Sequence, residues 1–371
     1  MNESLQDLVR QATLLTQSGR LHEATQTIQR ALRGTMTTTA APQDASVILD
    51  GCVVEVDTPP PPTRAESGPG EFTRGSHTHA GLTRSFKLYT PPGRAGQALP
   101  LVVMLHGCTQ DADDFAMGTD MNERAREQGF YVLYPEQAQD ANPGSCWNWF
   151  KHNHQARGRG EPALLANLTQ ALVQQHGMDA RRVFVAGMSA GGAMATIMAT
   201  EYPDIFAAVG VHSGLPTGSA SNMSEALMVM SSGEAGIAMP AMAQPPGVKS
   251  KGSRQALVVI PTIVFHGDQD HTVHPRNGEK VIETALGNAS APGTARQGAA
   301  RMEVKQGQSA QGRPYTRSIH RDAKGRTLTE HWLVHGTGHA WSGGNARGSY
   351  TDARGPDATG EMLRFFFEQV R

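Results

Sequence analysis

No stretch of this 371-residue chain approaches the roughly 18 uninterrupted apolar residues that a membrane-spanning helix requires. Charge of one sign is also missing. Lys plus Arg number 33 against 34 Asp plus Glu, a net charge of -1, so no cationic excess draws the chain to nucleic acid or an anionic membrane surface. Cysteine is scarce: Cys52, Cys108 and Cys146 are the three present, too few for a disulfide scaffold and without the CxxC spacing of a zinc or redox site, although one pairing stays open. The opening residues MNESLQDLVRQ hold no apolar stretch and cleavage site of the kind a signal peptide needs, so the expectation is a cytoplasmic chain. What the chain has in quantity is turn material. Its 41 Gly and 22 Pro, beside 38% apolar and only 18% charged residues, fit an enzyme with a sizeable core and many loops.

Three regions follow from the patterning. Over residues 1–33, Leu5, Leu8, Val9, Ala12 and Leu15 recur at helical spacing, and after Ser18-Gly19 so do Leu21, Ala24, Ile28 and Leu32. This predicts a helical hairpin, loosely like one tetratricopeptide unit, and a single copy cannot build a solenoid. Residues 34–80, with threonine clusters, Pro59 to Pro62 in a row and the SGPGEF stretch, read as a linker with one short strand at 47–54. From residue 81 to 371 strand and helix alternate. Strands are expected near 83–89, 101–105, 130–134, 182–186, 207–211, 258–265 and 328–334, and helices over 161–176, 190–201, 275–286 and 356–370. That order predicts an α/β fold of the hydrolase type, a mainly parallel sheet flanked by helices. Residues 215–252 carry five of the sixteen methionines with Pro240, Pro245 and Pro246, and read either as an irregular insertion over a site or as an ordinary surface loop.

The chemistry is concentrated at strand ends. The apolar strand Val183-Phe184-Val185-Ala186 runs into Gly187-Met188-Ser189-Ala190-Gly191-Gly192 and then a helical segment, which is GxSxG in the strand–turn–helix setting that a nucleophile elbow needs. Glycine flanks the serine because side chains there would strike the neighbouring strand and helix. A serine hydroxyl needs a base, and the base needs an orienting acid. In the chain order Ser, acid, His, the turn His266-Gly267-Asp268-Gln269-Asp270 after a strand offers two candidates. Asp270 is favoured because the turn needs a few residues to swing a carboxylate back, with Asp268 bracing the turn or competing for the role. His339, in the flexible Gly336-Thr337-Gly338-His339-Ala340-Trp341 loop, is the expected base, while His331 and His335 read as core or edge residues. An oxyanion hole needs two backbone N–H groups, expected from Ala190 and from Cys108 in the loop after Leu101–Leu105. His106 then braces that loop.

The set Leu105-His106-Gly107-Cys108-Thr109-Gln110, Ser145-Cys146-Trp147-Asn148-Trp149-Phe150, Gly187 to Gly192, His266 to Val273 and Gly338-His339-Ala340-Trp341 resembles the polyhydroxybutyrate depolymerase family of esterases, which includes feruloyl and acetylxylan esterases. The resemblance covers residues 82–370. It implies an α/β-hydrolase fold, a serine esterase with the triad Ser189, Asp270 and His339, and Cys108 as an oxyanion donor. It also implies that Trp147, Trp149 and Trp341 line the cleft, with core packing as the alternative. Residues 1–33 resemble the extension on bacterial members without a signal peptide and offer a partner or granule contact. Extracellular members are often disulfide-bonded near Cys108 and Cys146, whereas a cytoplasmic chain keeps thiols reduced, so the two expectations conflict.

The expected substrate is therefore a 3-hydroxybutyrate polyester or its oligomers, with feruloyl or acetyl esters of plant polysaccharide second and small soluble esters third. No metal or organic cofactor, and no nucleic acid partner, is expected. A non-catalytic scaffold on a retired hydrolase fold is the competing class, and an intact serine, acid, base and oxyanion loop argue against it.

Overall fold

A computed structural model describes residues 68–93, 96–234, 260–290 and 301–370. The expected hairpin at 1–33 and the short strand at 47–54 lie outside the described residues. The strand Leu101–Leu105 (β3) shows why a parallel sheet forms. All five residues are apolar and buried; Leu101, Val103 and Leu105 enter one core layer, and Val102 and Met104 enter the other. A strand covered on both faces reads as a continuous apolar run, the mark of a sheet sandwiched between helices.

The sheet has ten strands in the order β1-β2-β4-β3-β5-β6-β7-β10-β9-β8. Its centre is parallel: Tyr131–Pro135 (β4), β3, Val183–Met188 (β5), Ala208–His212 (β6), Thr262–Gly267 (β7) and Thr327–Val334 (β10). These match the expected strands to within a few residues. Both margins are antiparallel. Glu71–His79 (β1) pairs with Leu82–Thr90 (β2), and Arg301–Gln308 (β8) pairs with Pro314–Arg321 (β9). β1 thus lies within the stretch expected as linker over 34–80, whose residues 34–67 are outside the described residues. Glycine at position 75 lets the Phe86 ring lie across the β1–β2 hairpin, since a Cβ there would stand 2.4 Å from the ring and displace it.

Helices cover both faces. Gly160–His176 (α3) and Ala190–Glu201 (α4) bury their leucines, alanines and methionines against one side. Ala112–Thr119 (α1), Met121–Gln128 (α2) and Ala358–Phe367 (α7) cover the other, where Phe366 stacks on Phe184 at 5.1 Å. Burying each such phenylalanine contributes about 1.5–3 kcal/mol. The segment 215–252 is not irregular throughout, since it contains the helix Met223–Ser232 (α5), capped by the Asn222 side chain, which accepts from the Glu225 N–H. Arg276–Ser290 (α6) follows β7 as expected. Among the described residues no helix is long and apolar enough to cross a membrane.

Candidate active site

Five adjacent strands of the parallel centre, β3, β5, β6, β7 and β10, deliver the site from their C-terminal ends, where crossover loops can converge. β5 runs into Ser189, whose φ of 56° and ψ of -121° is a conformation that L residues seldom adopt. Such a backbone stores about 1–3 kcal/mol of strain, and packing holds it. The Ser189 N–H donates to His212 O at 2.9 Å, and Ser189 O accepts from Ala193 N–H at 2.9 Å. Space dictates the flanking glycines. A Cβ on Gly187 would lie 2.3 Å from Gly191 O, and one on Gly191 would lie 2.0 Å from Leu105 O. Ala190 begins α4, so its N–H has no partner four residues back in the helix and faces the region where the positive helix end concentrates.

The loop after β3 passes directly over the serine: a Cβ on Gly107 would lie 3.6 Å from Ser189 Cβ. Its shape is held from several directions. Gly107 N–H donates to Gln110 Oε1 at 3.0 Å, and Gln110 Nε2 donates to Asp114 at 2.8 Å and to the Ser349 hydroxyl at 3.2 Å. His106 is buried and braces the loop, as expected. Its Nε2 accepts from Gln137 N–H at 3.1 Å, so its Nδ1 carries the proton and donates to Gly107 O at 2.7 Å. Burial lowers the His106 pKa and keeps the ring neutral.

Cys108 and Cys146 form a disulfide across a sequence separation of 38, which settles the structural side of the conflict over these thiols. Thr109 N–H donates to Gly144 O at 2.8 Å beside it. Below lies a buried polar network in which Glu161 Oε1 accepts from Arg84 at 3.1 Å, Gln137 at 2.6 Å and Asn148 Nδ2 at 2.7 Å, and Oε2 accepts from Asn148 N–H at 2.8 Å. Burial alone would raise the Glu161 pKa, but His154, 3.5 Å away, and then the hydrogen bonds from Gln137 and the Asn148 N–H hold it at about 2.

The turn after β7 separates the two aspartates. Asp268 braces a loop: its carboxylate binds His335 Nδ1 at 2.9 Å and accepts from Gly336 N–H at 2.7 Å. Asp270 turns inward, buried, with Oδ1 accepting from Thr272 N–H at 2.9 Å and Val273 N–H at 2.8 Å. Its Oδ2 accepts from His339 Nδ1 at 2.7 Å and lies 3.5 Å from His266 Nε2. Desolvation works to raise the Asp270 pKa, and the hydrogen bonds from His266, His339 and Val273 outweigh it, so the carboxylate stays ionised far below its ordinary range. The structure thus brings Asp270 and His339 together and gives Asp268 to the neighbouring turn. With Nδ1 protonated toward Asp270, His339 leaves Nε2 as the basic nitrogen.

The three tryptophans do not line an open cleft. Trp147 is fully buried beside His106, Trp341 is fully buried with its Nε1 donating to Thr359 at 3.0 Å, and Trp149 packs edge-on to Phe150. Their large apolar faces are satisfied by the core, the alternative reading of the sequence. His212 is a residue that the motif reading passed over. It ends β6 between the serine and aspartate strands, and its position at the C-terminal end of a central parallel strand was the available signal.

The esterase PHB depolymerase family profile matches residues 84–306. This chain belongs to that family. Poly(3-hydroxyalkanoate) depolymerase C of Paucimonas lemoignei is 34% identical over 208 residues, 56% of this chain and 48% of that protein. Acetylxylan esterase A of Emericella nidulans is 29% identical over 227 residues, 58% of this chain and 70% of that protein. The chain thus spans about half the length of the Paucimonas relative. Among solved structures, an acetyl xylan esterase from Aspergillus awamori superposes with a TM-score of 0.56 at 21% identity, over 80% of this chain and 99% of that one. The shared fold is the α/β-hydrolase fold of esterases.

Proposed function

We propose that this family member is a serine esterase that cleaves carboxylic esters through an acyl-enzyme on Ser189, with a 3-hydroxyalkanoate polyester or its oligomers as substrate. The observation that carries the reading is the Asp270–His339 pair at 2.7 Å together with the strained Ser189 elbow, both at C-terminal ends of the parallel strands, with β6 between the serine and aspartate strands. His339 Nε2 takes the hydroxyl proton as Ser189 Oγ bonds to the ester carbonyl carbon. The N–H groups of Cys108 and Ala190 hold the oxyanion. Collapse breaks the ester C–O bond, and His339 returns the proton to the departing alcohol. Water then attacks the acyl-enzyme by the same route, and the acid leaves. The polyester choice rests on the Paucimonas relative.

Acetyl esters of a polysaccharide are the second reading, favoured by the Emericella relative. A panel of polyhydroxybutyrate suspension, acetylated xylan, methyl ferulate and p-nitrophenyl butyrate ranks the two. Polymer hydrolysis at the top supports the first reading, and acetate release from xylan at the top replaces it. Loss of all turnover in Ser189→Ala is expected; retained turnover removes Ser189 from this role. Residues 1–33 are proposed as a partner or granule contact, so a chain lacking residues 1–63 should keep soluble-ester turnover and lose granule retention. The disulfide favours an oxidising compartment over the cytoplasmic expectation.

A further inference from the structure

His212 is tied to both halves of the site. Its backbone carbonyl accepts the Ser189 N–H at 2.9 Å, and it pairs across the sheet with Met188 on one side and Phe265 on the other. Its side chain reaches a third strand connection: Nε2 accepts the Ser342 N–H at 2.9 Å, three residues beyond His339. Both residues are buried. The ring lies between Phe265, at 6.0 Å and 12°, and Trp341, at 5.0 Å and 25°, which fixes its plane. The loop bearing His339 is thereby held at two ends. Before the histidine, Thr337 O accepts from Gln269 N–H at 3.0 Å; after it, Ser342 N–H is held by His212.

We propose that the imidazole of His212 is a positioning residue that sets where the His339 loop stands relative to the Ser189 elbow, and so sets kcat. This rests on the serine-esterase reading. An acceptor at Nε2 requires a lone pair there, so Nδ1 carries the ring proton and faces the Ser213 hydroxyl at 3.2 Å. A charged ring would set N–H against N–H. Burial, with the nearby His266 and His339, holds the His212 pKa at about 3 against the opposing pull of Asp270, so the acceptor persists at neutral pH. Without it the buried Ser342 N–H is left unpaired, and the segment that follows His339 loses the anchor that ties it to the serine-side strand β6, leaving the bonds of Trp341 to Tyr350 and Thr359 and of the Ser342 hydroxyl to Pro356. Displacing a catalytic group by about 1 Å costs on the order of 100-fold in rate.

Three replacements test this in the full chain: His212→Phe, which keeps a stacked ring and removes the acceptor; His212→Asn, too short to reach Ser342; and His212→Gln, whose Oε1 can stand near the lost Nε2. Fluorophosphonate labelling counts assembled sites, and kcat and KM on p-nitrophenyl butyrate are taken per labelled site. The expected result is a fall in kcat of about 30- to 100-fold for Phe and Asn with KM within about threefold, and recovery to within about fivefold of wild type for Gln. The inference is overturned if kcat per labelled site in the Phe and Asn variants stays within about threefold of wild type, whatever the labelled fraction. It is equally overturned if Gln is as slow as Asn. If the Phe variant does not fold, the comparison of Asn with Gln decides by the same criteria. Turnover surviving in Ser189→Ala would instead overturn the esterase reading, and is scored separately.

Discussion

Asp270 Oδ2 stands 2.7 Å from His339 Nδ1, while the other carboxylate oxygen is occupied by the Thr272 and Val273 N–H groups. The carboxylate cannot rotate away, so it selects one tautomer of His339 and would stabilise the imidazolium formed when Ser189 is deprotonated. Asp270→Asn should therefore lower kcat by about 10³- to 10⁴-fold with little change in fold. Asp268→Asn, at a carboxylate that hydrogen-bonds His335 and the Gly336 N–H rather than His339, should cost at most about tenfold in kcat. Kinetics of the two variants side by side check the assignment, and a reversed order would transfer the acid role to Asp268.

The Cys108–Cys146 bond is open to a thiol count. Of the three cysteines only Cys52 should react in denaturant without reductant, and all three after reduction. Three reactive thiols before reduction would contradict the bond. Replacing Cys146 by Ala should lower stability by about 2–4 kcal/mol, because the bond restricts the unfolded chain.

Glu161 is the central acceptor beneath the oxyanion loop, and Arg84 is its buried cationic partner. Glu161→Gln removes the charge and leaves the Arg84 guanidinium without its counterion, a loss of about 3–5 kcal/mol by the general cost of breaking a buried pair. Urea unfolding measures it. A loss below about 1 kcal/mol would show that Arg84 finds water or another partner.

Acid should weaken the fold before it reaches the carboxylates. His212 is held at about 3 mainly by burial, and His331 at about 4 by burial and then by His266 and His320. Unfolded, each takes up a proton below the ordinary imidazole value of 6.5, whereas the folded rings stay neutral. The unfolded state therefore binds more protons, and stability falls with pH between 6.5 and about 4 by about 1.4 kcal/mol per pH unit for each histidine. Glu161 acts at lower pH: its depressed pKa contributes stability above 4.5 that is lost as pH falls through about 2. A urea midpoint that stays level from neutral pH down to about 4.5 would refute the histidine contribution.

The structural consequences of local patterning were legible. Continuous apolar runs such as Leu101–Leu105 and Val183–Met188 announce strands buried on both faces, and GMSAGG announces a turn that only glycine-flanked serine can make. At the margins only β2, expected at 83–89, was legible; β1, β8 and β9 were not. Every described residue of β8 is exposed or half-buried, including Met302 and Val304, so no apolar alternation distinguishes it from loop. β1 lies in a stretch coloured by glycine and proline upstream, and its pairing to β2 depends on a partner strand beyond its own composition. The helices α1 and α2 hide in an acidic segment with few apolar residues.

By itself the amino-acid sequence determined the order of the parallel strands' elements, the serine turn, the loop that carries His339 and the pair of aspartates that compete to serve it. Those are short-range matters of spacing, glycine and apolar runs. Only the tertiary structure decided that Asp270 rather than Asp268 reaches His339, that the three tryptophans face the core, that Cys108 meets Cys146, and that His212 joins the serine strand to Ser342. Each of these depends on which strand ends become neighbours when the sheet closes. That proximity arises between residues about 40 to 130 positions apart, where no local pattern can encode it.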